Sequence, residues 1–267
     1  MELRFLCLLV MLLASLAAAV PIEQTPYGKA VFRIEARPGP QQMKDPVERQ
    51  RIEGALAEAG VDGRWISIVD PVGCPYLAND FLPPVEGQDL AENEAIMKAW
   101  VAEMHAKGQA VMSWYALSIG QSANLAHPDW RQVSVVPWYR EAEASFFCCH
   151  MTGYGEAMIN YCIDAIKRLD LDGIWFDGAA WTPIWNRPLP ITCYCETCRA
   201  TFKADTGLDL PTVYDFSDPT FRTWVEWRYQ EFGEFIEKAA QRIRKACPEA
   251  AVDRKSTRLN SSHRIRS

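Results

Sequence analysis

The sequence predicts an α/β fold, the N-terminal half of an eight-stranded (β/α)8 TIM barrel, truncated before the barrel closes. Three observations carry this. Short apolar runs alternate with amphipathic helical segments, which implies a parallel sheet. The stretches after the third and fourth strands are long while the returns from helix to strand are short, as suits a barrel whose strand-to-helix loops carry function. The run Asp172-Gly-Ile-Trp-Phe-Asp177-Gly178 ends an apolar strand on a carboxylate, where a barrel strand faces the mouth. A doubly wound sheet is the competing arrangement. No G-x-G-x-x-G follows the first strand, which argues against a dinucleotide fold.

Residues 1–19 read as a secretory signal peptide. Arg4 precedes the apolar run Leu6–Leu13, and Ala17-Ala18-Ala19 supplies an A-x-A cleavage site. The run is too short to span a bilayer comfortably. The mature chain is therefore expected to begin near Val20, secreted or periplasmic, with no membrane contact after cleavage; an uncleaved anchor is the alternative. Residues 20–252 are the expected partial barrel domain.

Within it, Ala30–Ala36 reads as the first strand and Val47–Ala59 as a helix ending at Gly60. Arg64–Asp70 is the second strand, again closing on a carboxylate. Leu90–Ala106 is a helix, with Ile96, Met97, Trp100, Val101 and Met104 at helical spacing, and Gly108 ends it. Gln109–Leu117 is the third strand. Tyr154–Leu169 is a helix with Met158, Ile159, Cys162, Ile163 and Ile166 on one face. The strand ending at Asp177 is the fourth; Asp172-Gly173 supplies the turn before it and Gly178 a sharp exit. A short helix near Glu196–Thr206 closes on Gly207. Asp218-Pro219 then opens a long helix as N-cap and first residue, with Phe221, Trp224, Val225, Phe232, Phe235, Ile236 and Ile243 as its apolar face. Ala250-Ala251-Val252 starts a fifth strand.

Residues 253–267 are set apart, because Asp253-Arg-Lys-Ser-Thr-Arg-Leu-Asn-Ser-Ser-His263 resembles a translated sequencing adapter. On that reading native sequence stops near Val252 and the protein continues beyond it. Without this tail, which holds five Lys/Arg and one Asp, the formal net charge moves from −6 to −10. An acidic surface gives no footprint for nucleic acid or anionic lipid, and suits a neutral substrate such as a carbohydrate.

Three groups of residues carry candidate chemistry. Asp177 is the first, as an active-site carboxylate or as a cap on Gly178 or a neighbouring amide. Asp70 and Glu35 are possible partners or sugar hydrogen-bonders. The second is Cys193-x-Cys195-x-x-Cys198, three thiols within six residues that can wrap one tetrahedral zinc and need a fourth ligand. Disulfides are the alternative in an exported chain. The third is a set of aromatics at strand ends or in the loops that follow: Trp114, Tyr115, Trp130, Trp138, Tyr139, Trp181 and Trp185. Such rings stack on sugar faces or simply pack the core. Trp181 and Trp185 share a loop with Asp177. His127 and His150 can bind sugar hydroxyls, although His127 before Pro128 also suits a turn.

The D-G-I-W-F-D-G strand, the segment Cys193-Tyr-Cys-Glu-Thr-Cys-Arg-Ala-Thr-Phe202, Thr206-Gly-Leu-Asp-Leu-Pro211 and His127-Pro-Asp-Trp130 together resemble the hypothetical glycosyl hydrolase 6 family, over about residues 27–252. These are (β/α)8 glycosidase-like proteins related in pattern to α-L-fucosidases. The resemblance implies a hydrolase of glycosidic bonds with Asp177 as nucleophile. A retaining enzyme pairs such a carboxylate with a protonated one about 5–5.5 Å away. Other glycosidase clans place the acid/base at this strand end. The cysteine segment is similar to the C-Y-C-x-x-C zinc cluster of the family 42 β-galactosidases. That likeness implies a fourth ligand in the preceding strand-to-helix loop, Cys149 or its neighbour Cys148. A zinc held by four thiolates would be structural. A non-catalytic carbohydrate-binding barrel is the second expectation for the protein as a whole.

Overall fold

The computed structural model describes residues 21–30, 38–134, 146–178 and 192–254. Four strands form one parallel sheet: β1 (Gly63–Ser67), β2 (Ala110–Ala116), β3 (Gly173–Asp177) and β4 (Ala251–Arg254). They lie side by side in chain order. A doubly wound sheet would reverse that order at a switch point; these strands do not, and the architecture is that of part of a (β/α)8 barrel. β1 to β4 correspond to the second to fifth strands expected from sequence. The expected first strand, Ala30–Ala36, lies outside the described residues from residue 31 on, and Ala30 itself caps a short helix. β4 runs on through Asp253 and Arg254, the first two residues of the adapter-like segment.

The helices are α1 (Pro26–Lys29), α2 (Pro40–Lys44), α3 (Pro46–Glu58), α4 (Leu90–Ala106), α5 (Gln121–Ala126), α6 (Gly153–Leu169), α7 (Glu196–Thr206) and α8 (Pro219–Ala246). Their ends follow from capping chemistry. Asp45, Asp89 and Asp218 each accept backbone N–H groups of the first turn, filling donors a helix start leaves open. Gly207 ends α7 in the left-handed conformation that glycine adopts without penalty.

Residue parity sorts the sheet into two faces. Ile66, Ile68, Val111, Tyr115, Ile174 and Phe176 pack outward into the helix layer, among Met97, Trp100, Met158, Cys162 and Trp224. Trp65, Met112, Trp175 and Ala251 face inward and pack with Tyr27, with Trp114 partly buried beside them. The Trp65 and Trp175 rings lie 4.5 Å apart, and Trp65 Nε1 donates to Tyr27 Oη at 2.6 Å. Because side chains alternate along a strand, Asp177 lies on the same inner face as Trp175.

The base of the sheet is tied by Asp172. Its Oδ2 accepts from the Val111 N–H at 2.6 Å and lies 2.9 Å from His105 Nε2, while its carbonyl accepts from Ala251 N–H at 2.8 Å. The next residue must be glycine, since a Cβ at Gly173 would stand 2.1 Å from the Ala251 carbonyl oxygen. Gly173→Ala is expected to part β3 from β4 and cost about 2–4 kcal/mol, in the range of overpacked core sites. Urea unfolding followed by tryptophan fluorescence measures it.

Candidate active site and metal centre

Asp177 closes β3 on the inner face, at the C-terminal end of the strand. Its Oδ1 accepts from the Gly178 N–H at 2.8 Å, and its Oδ2 accepts from Trp114 Nε1 at 3.1 Å. Its backbone carbonyl accepts from Leu117 N–H at 3.0 Å. Gly178 follows the strand at φ +62°, a left-handed conformation that glycine adopts without penalty. Both oxygens thus face N–H donors, and the carboxyl group is half-buried. The capping role and the active-site role foreseen for Asp177 are compatible in this geometry.

The other expected site residues scatter. Trp114 sits next to Asp177 on the inner face. Tyr115, one residue on, points the other way: its ring is wholly buried, with its hydroxyl 3.3 Å from that of Tyr154. It packs into the core, the other role foreseen for these aromatics. Asp70 is half-buried beyond β1, and its Oδ1 accepts from the Val72 and Cys74 N–H groups at 3.0 and 2.8 Å, shaping the loop that follows. His127 caps α5 and stacks on Trp130, ring centroids 3.8 Å apart. His150 is buried between Phe232 and Phe235, and burial lowers its pKa to about 3. Glu35, Trp138, Tyr139, Trp181 and Trp185 lie outside the described residues.

The cysteines converge. The sulfurs of Cys149, Cys193, Cys195 and Cys198 all lie within 4.8 Å of one another, and all four residues are buried. Cys149 comes from the segment between β2 and α6, where its N–H donates to the Trp130 carbonyl at 2.7 Å. Cys193 and Cys195 come from the approach to α7. Cys198 stands in the first turn of that helix, whose N-terminal dipole favours thiolate. The two loops are stitched by backbone pairing of Ser134 with Thr192 and by the Tyr194 N–H to the Val133 carbonyl at 2.7 Å, while Arg131 pairs with Cys148 within the first loop. Cys193 Sγ accepts from the Val133 and Cys195 N–H groups, both at 3.4 Å.

This arrangement fits a metal. Cys149 Sγ and Cys198 Sγ are 3.5 Å apart, close to the edge, about 3.8 Å, of a tetrahedron with metal–sulfur bonds of about 2.3 Å. Hydrogen bonds from the Cys149, Cys193 and Cys198 thiols hold Cys195 far below the ordinary thiol range, while burial pushes Cys149 well above it. Four thiols competing for one pocket of negative charge is what a cation resolves. Cys148, the other possible fourth ligand, turns away and donates to the Gly120 carbonyl at 3.4 Å. Among the described residues eight cysteines are free and no disulfide forms. Cys162 lies in the core on α6, its thiol against Met158.

A cavity of about 840 Å³ opens at the opposite, N-terminal end of the strands, bordered by Lys29, His105, Asp172 and Glu249. In (β/α)8 barrels that end is associated with stability, and the C-terminal end, where Asp177 lies, with catalysis. No helix among the described residues is long and apolar enough to cross a membrane.

Set beside solved structures, the chain has the fold of (β/α)-barrel glycosidases. It is similar to α-L-fucosidase isoenzyme 2 from Paenibacillus thiaminolyticus, with a TM-score of 0.56 and 15% identity over 89% of this chain and 31% of that one. It is also similar to a hypothetical protein from Ruminiclostridium thermocellum, with a TM-score of 0.52 and 10% identity over 83% of this chain and 97% of that one. The chain thus spans about a third of the fucosidase's length. No family model matches it, and no curated protein does.

Proposed function

We propose that this chain belongs to an exported glycoside hydrolase, that Asp177 is its nucleophilic carboxylate, and that the four cysteines hold one structural zinc. The observation that carries the catalytic part is the seat of Asp177. It lies at the C-terminal end of an inner barrel strand, aimed by Trp114 Nε1 and the Gly178 N–H, in a fold shared with an α-L-fucosidase. These two groups are donors, so each oxygen is held as an acceptor, the arrangement an attacking carboxylate uses. In the reaction, one Asp177 oxygen bonds to the anomeric carbon as the glycosidic C–O bond breaks. The departing oxygen takes a proton from a second carboxyl group, which later deprotonates the water that releases the sugar. That second group is proposed to come from another strand of the completed barrel. Residues 1–19 are proposed to direct export, which places the enzyme outside the cytoplasm or in the periplasm, with a carbohydrate as its partner.

Trp114 has a positioning role in this scheme. Trp114→Phe keeps an aromatic ring for stacking and removes the N–H that Asp177 Oδ2 accepts, together with the smaller ring of the indole. Hydrogen bonds to charged groups contribute about 1.5–3 kcal/mol, so kcat/KM on an aryl glycoside is expected to fall about tenfold to a hundredfold, with a displaced pH profile and a nearly unchanged melting temperature. An unchanged profile with wild-type kcat/KM would detach Trp114 from the chemistry. The overall proposal is tested by assaying the complete protein against a panel of aryl glycosides. Turnover of none of them, with sugar binding still measurable by calorimetry, would favour a carbohydrate-binding barrel.

For the zinc, four sulfur ligands complete a tetrahedron and leave no open position for a water. The metal would therefore clamp the loops after β2 and β3 together and take no part in hydrolysis. Cys149 fixes the first loop, and Cys193, Cys195 and Cys198 fix the second.

A further inference from the structure

We infer that Arg228 is the buried counter-charge of the four-cysteine site and slows loss of the metal from it. The inference rests on the metal reading above. Four thiolates around a divalent cation carry a net charge of −2, and all four sulfurs here are buried. Negative charge held away from water is costly unless a cation stands near it.

Arg228 is placed to be that cation. It is only 6% exposed, although it is an arginine on a helix whose opposite face meets solvent. It sits inside the apolar stripe of α8, one turn after Trp224 and one turn before Phe232, where the 3.6-residue period calls for a hydrophobic side chain. Its guanidinium lies over the Trp224 ring, 4.8 Å from the centroid. That ring packs at 5.0 Å against Tyr194, the residue between Cys193 and Cys195. The helix therefore delivers the guanidinium to the back of the cysteine loop, within electrostatic reach of Cys193 and Cys198. Among the described residues the other buried arginine is Arg64, which pairs with Glu53 at 2.8 Å and with Gln109. Arginine suits such a place because it stays charged and is weakly hydrated, and because its planar face stacks on an indole.

The full chain, purified with zinc, tests this through metal release to an excess of a chromogenic chelator. Arg228→Met keeps the length and apolar contact of the side chain and removes the charge. Arg228→Lys keeps the charge and loses the planar fork. Zinc is expected to leave the Met variant about 10–100 times faster than the wild type, the range seen when groups behind metal ligands are removed. The Lys variant should lie close to the wild type. Equal release from Met variant and wild type overturns the inference, and so does equally fast release from both variants, because shape and not charge would then be at work. Should the Met variant fail to fold, Arg228→Gln takes its place with the same expectations. A wild-type chain that binds no metal refutes the metal reading itself. That outcome differs from a metallated wild type with indifferent variants, which refutes only the role of Arg228.

Discussion

Asp177→Asn in the complete protein is expected to lower turnover of an activated aryl glycoside by roughly 10³-fold or more, the scale on which loss of a nucleophile removes transition-state stabilisation. The substitution keeps the size of the side chain and removes its charge. The two N–H donors constrain what else changes. Gly178 N–H and Trp114 Nε1 at 2.8 and 3.1 Å can still meet an amide oxygen, one at a time. The fold should survive, with a melting temperature within a few degrees of wild type. A Gly variant given azide should form a glycosyl azide of inverted configuration, because the small anion enters the space the carboxylate leaves. If Asp177 is instead the acid/base, good leaving groups should lose little of their glycosylation rate, and the alkaline limb of the pH profile should vanish. An Asn variant with wild-type rates on every substrate and a lowered melting temperature would reduce Asp177 to a cap for Gly178.

Much of this fold was legible because its punctuation is local. Asp218-Pro219 marks the start of α8 to the residue, Gly207 closes α7, and the apolar run from Ile174 to Phe176 before Asp177 is β3. α3 starts at Pro46, one residue before the expected Val47, because Asp45-Pro46 is the same cap-and-proline signal, and α2 precedes it where the sequence predicts no element. Neighbours in three dimensions were harder. Trp114 and Tyr115 are adjacent aromatics that look equivalent in a list of ring residues, yet strand alternation sends one to Asp177 and the other into the helix layer. Counting back by twos from a known inner residue would have separated them. Cys148 and Cys149 could not be separated that way, because the segment between β2 and α6 has no period to count. Arg228 left a signal, a cation inside an apolar helical stripe, but nothing in the one-dimensional pattern says that a cysteine loop lies opposite it.

Cys149→Ser is expected to abolish metal binding, whereas Cys148→Ser leaves it intact. The wild-type protein should carry about one zinc per chain by elemental analysis. Cys149 shares its pocket with Cys198 at 3.5 Å, while the Cys148 thiol faces the Gly120 carbonyl. Losing the metal frees the loops after β2 and β3 from each other, and it leaves the remaining thiols, three in the variant and four in the chelated wild type, crowded in a buried site with no cation. A loss of about 3–5 kcal/mol, near 10 °C in melting temperature for a chain of this size, is expected for Cys149→Ser and for the chelated wild type alike. In the double comparison, chelator should do nothing further to the Ser variant. Acid should act in the same direction. The metal requires thiolates, so its contribution is present near neutral pH and is lost as protons compete for the sulfurs. The rival chemistry has its own signature. A disulfide between any two of the four cysteines would appear in mass spectrometry of the unreduced protein as a loss of about two mass units, with no stoichiometric zinc and with stability that falls on reduction and not on chelation. Finding that pattern would remove the metal from the site and, with it, the reason for a buried cation at its back.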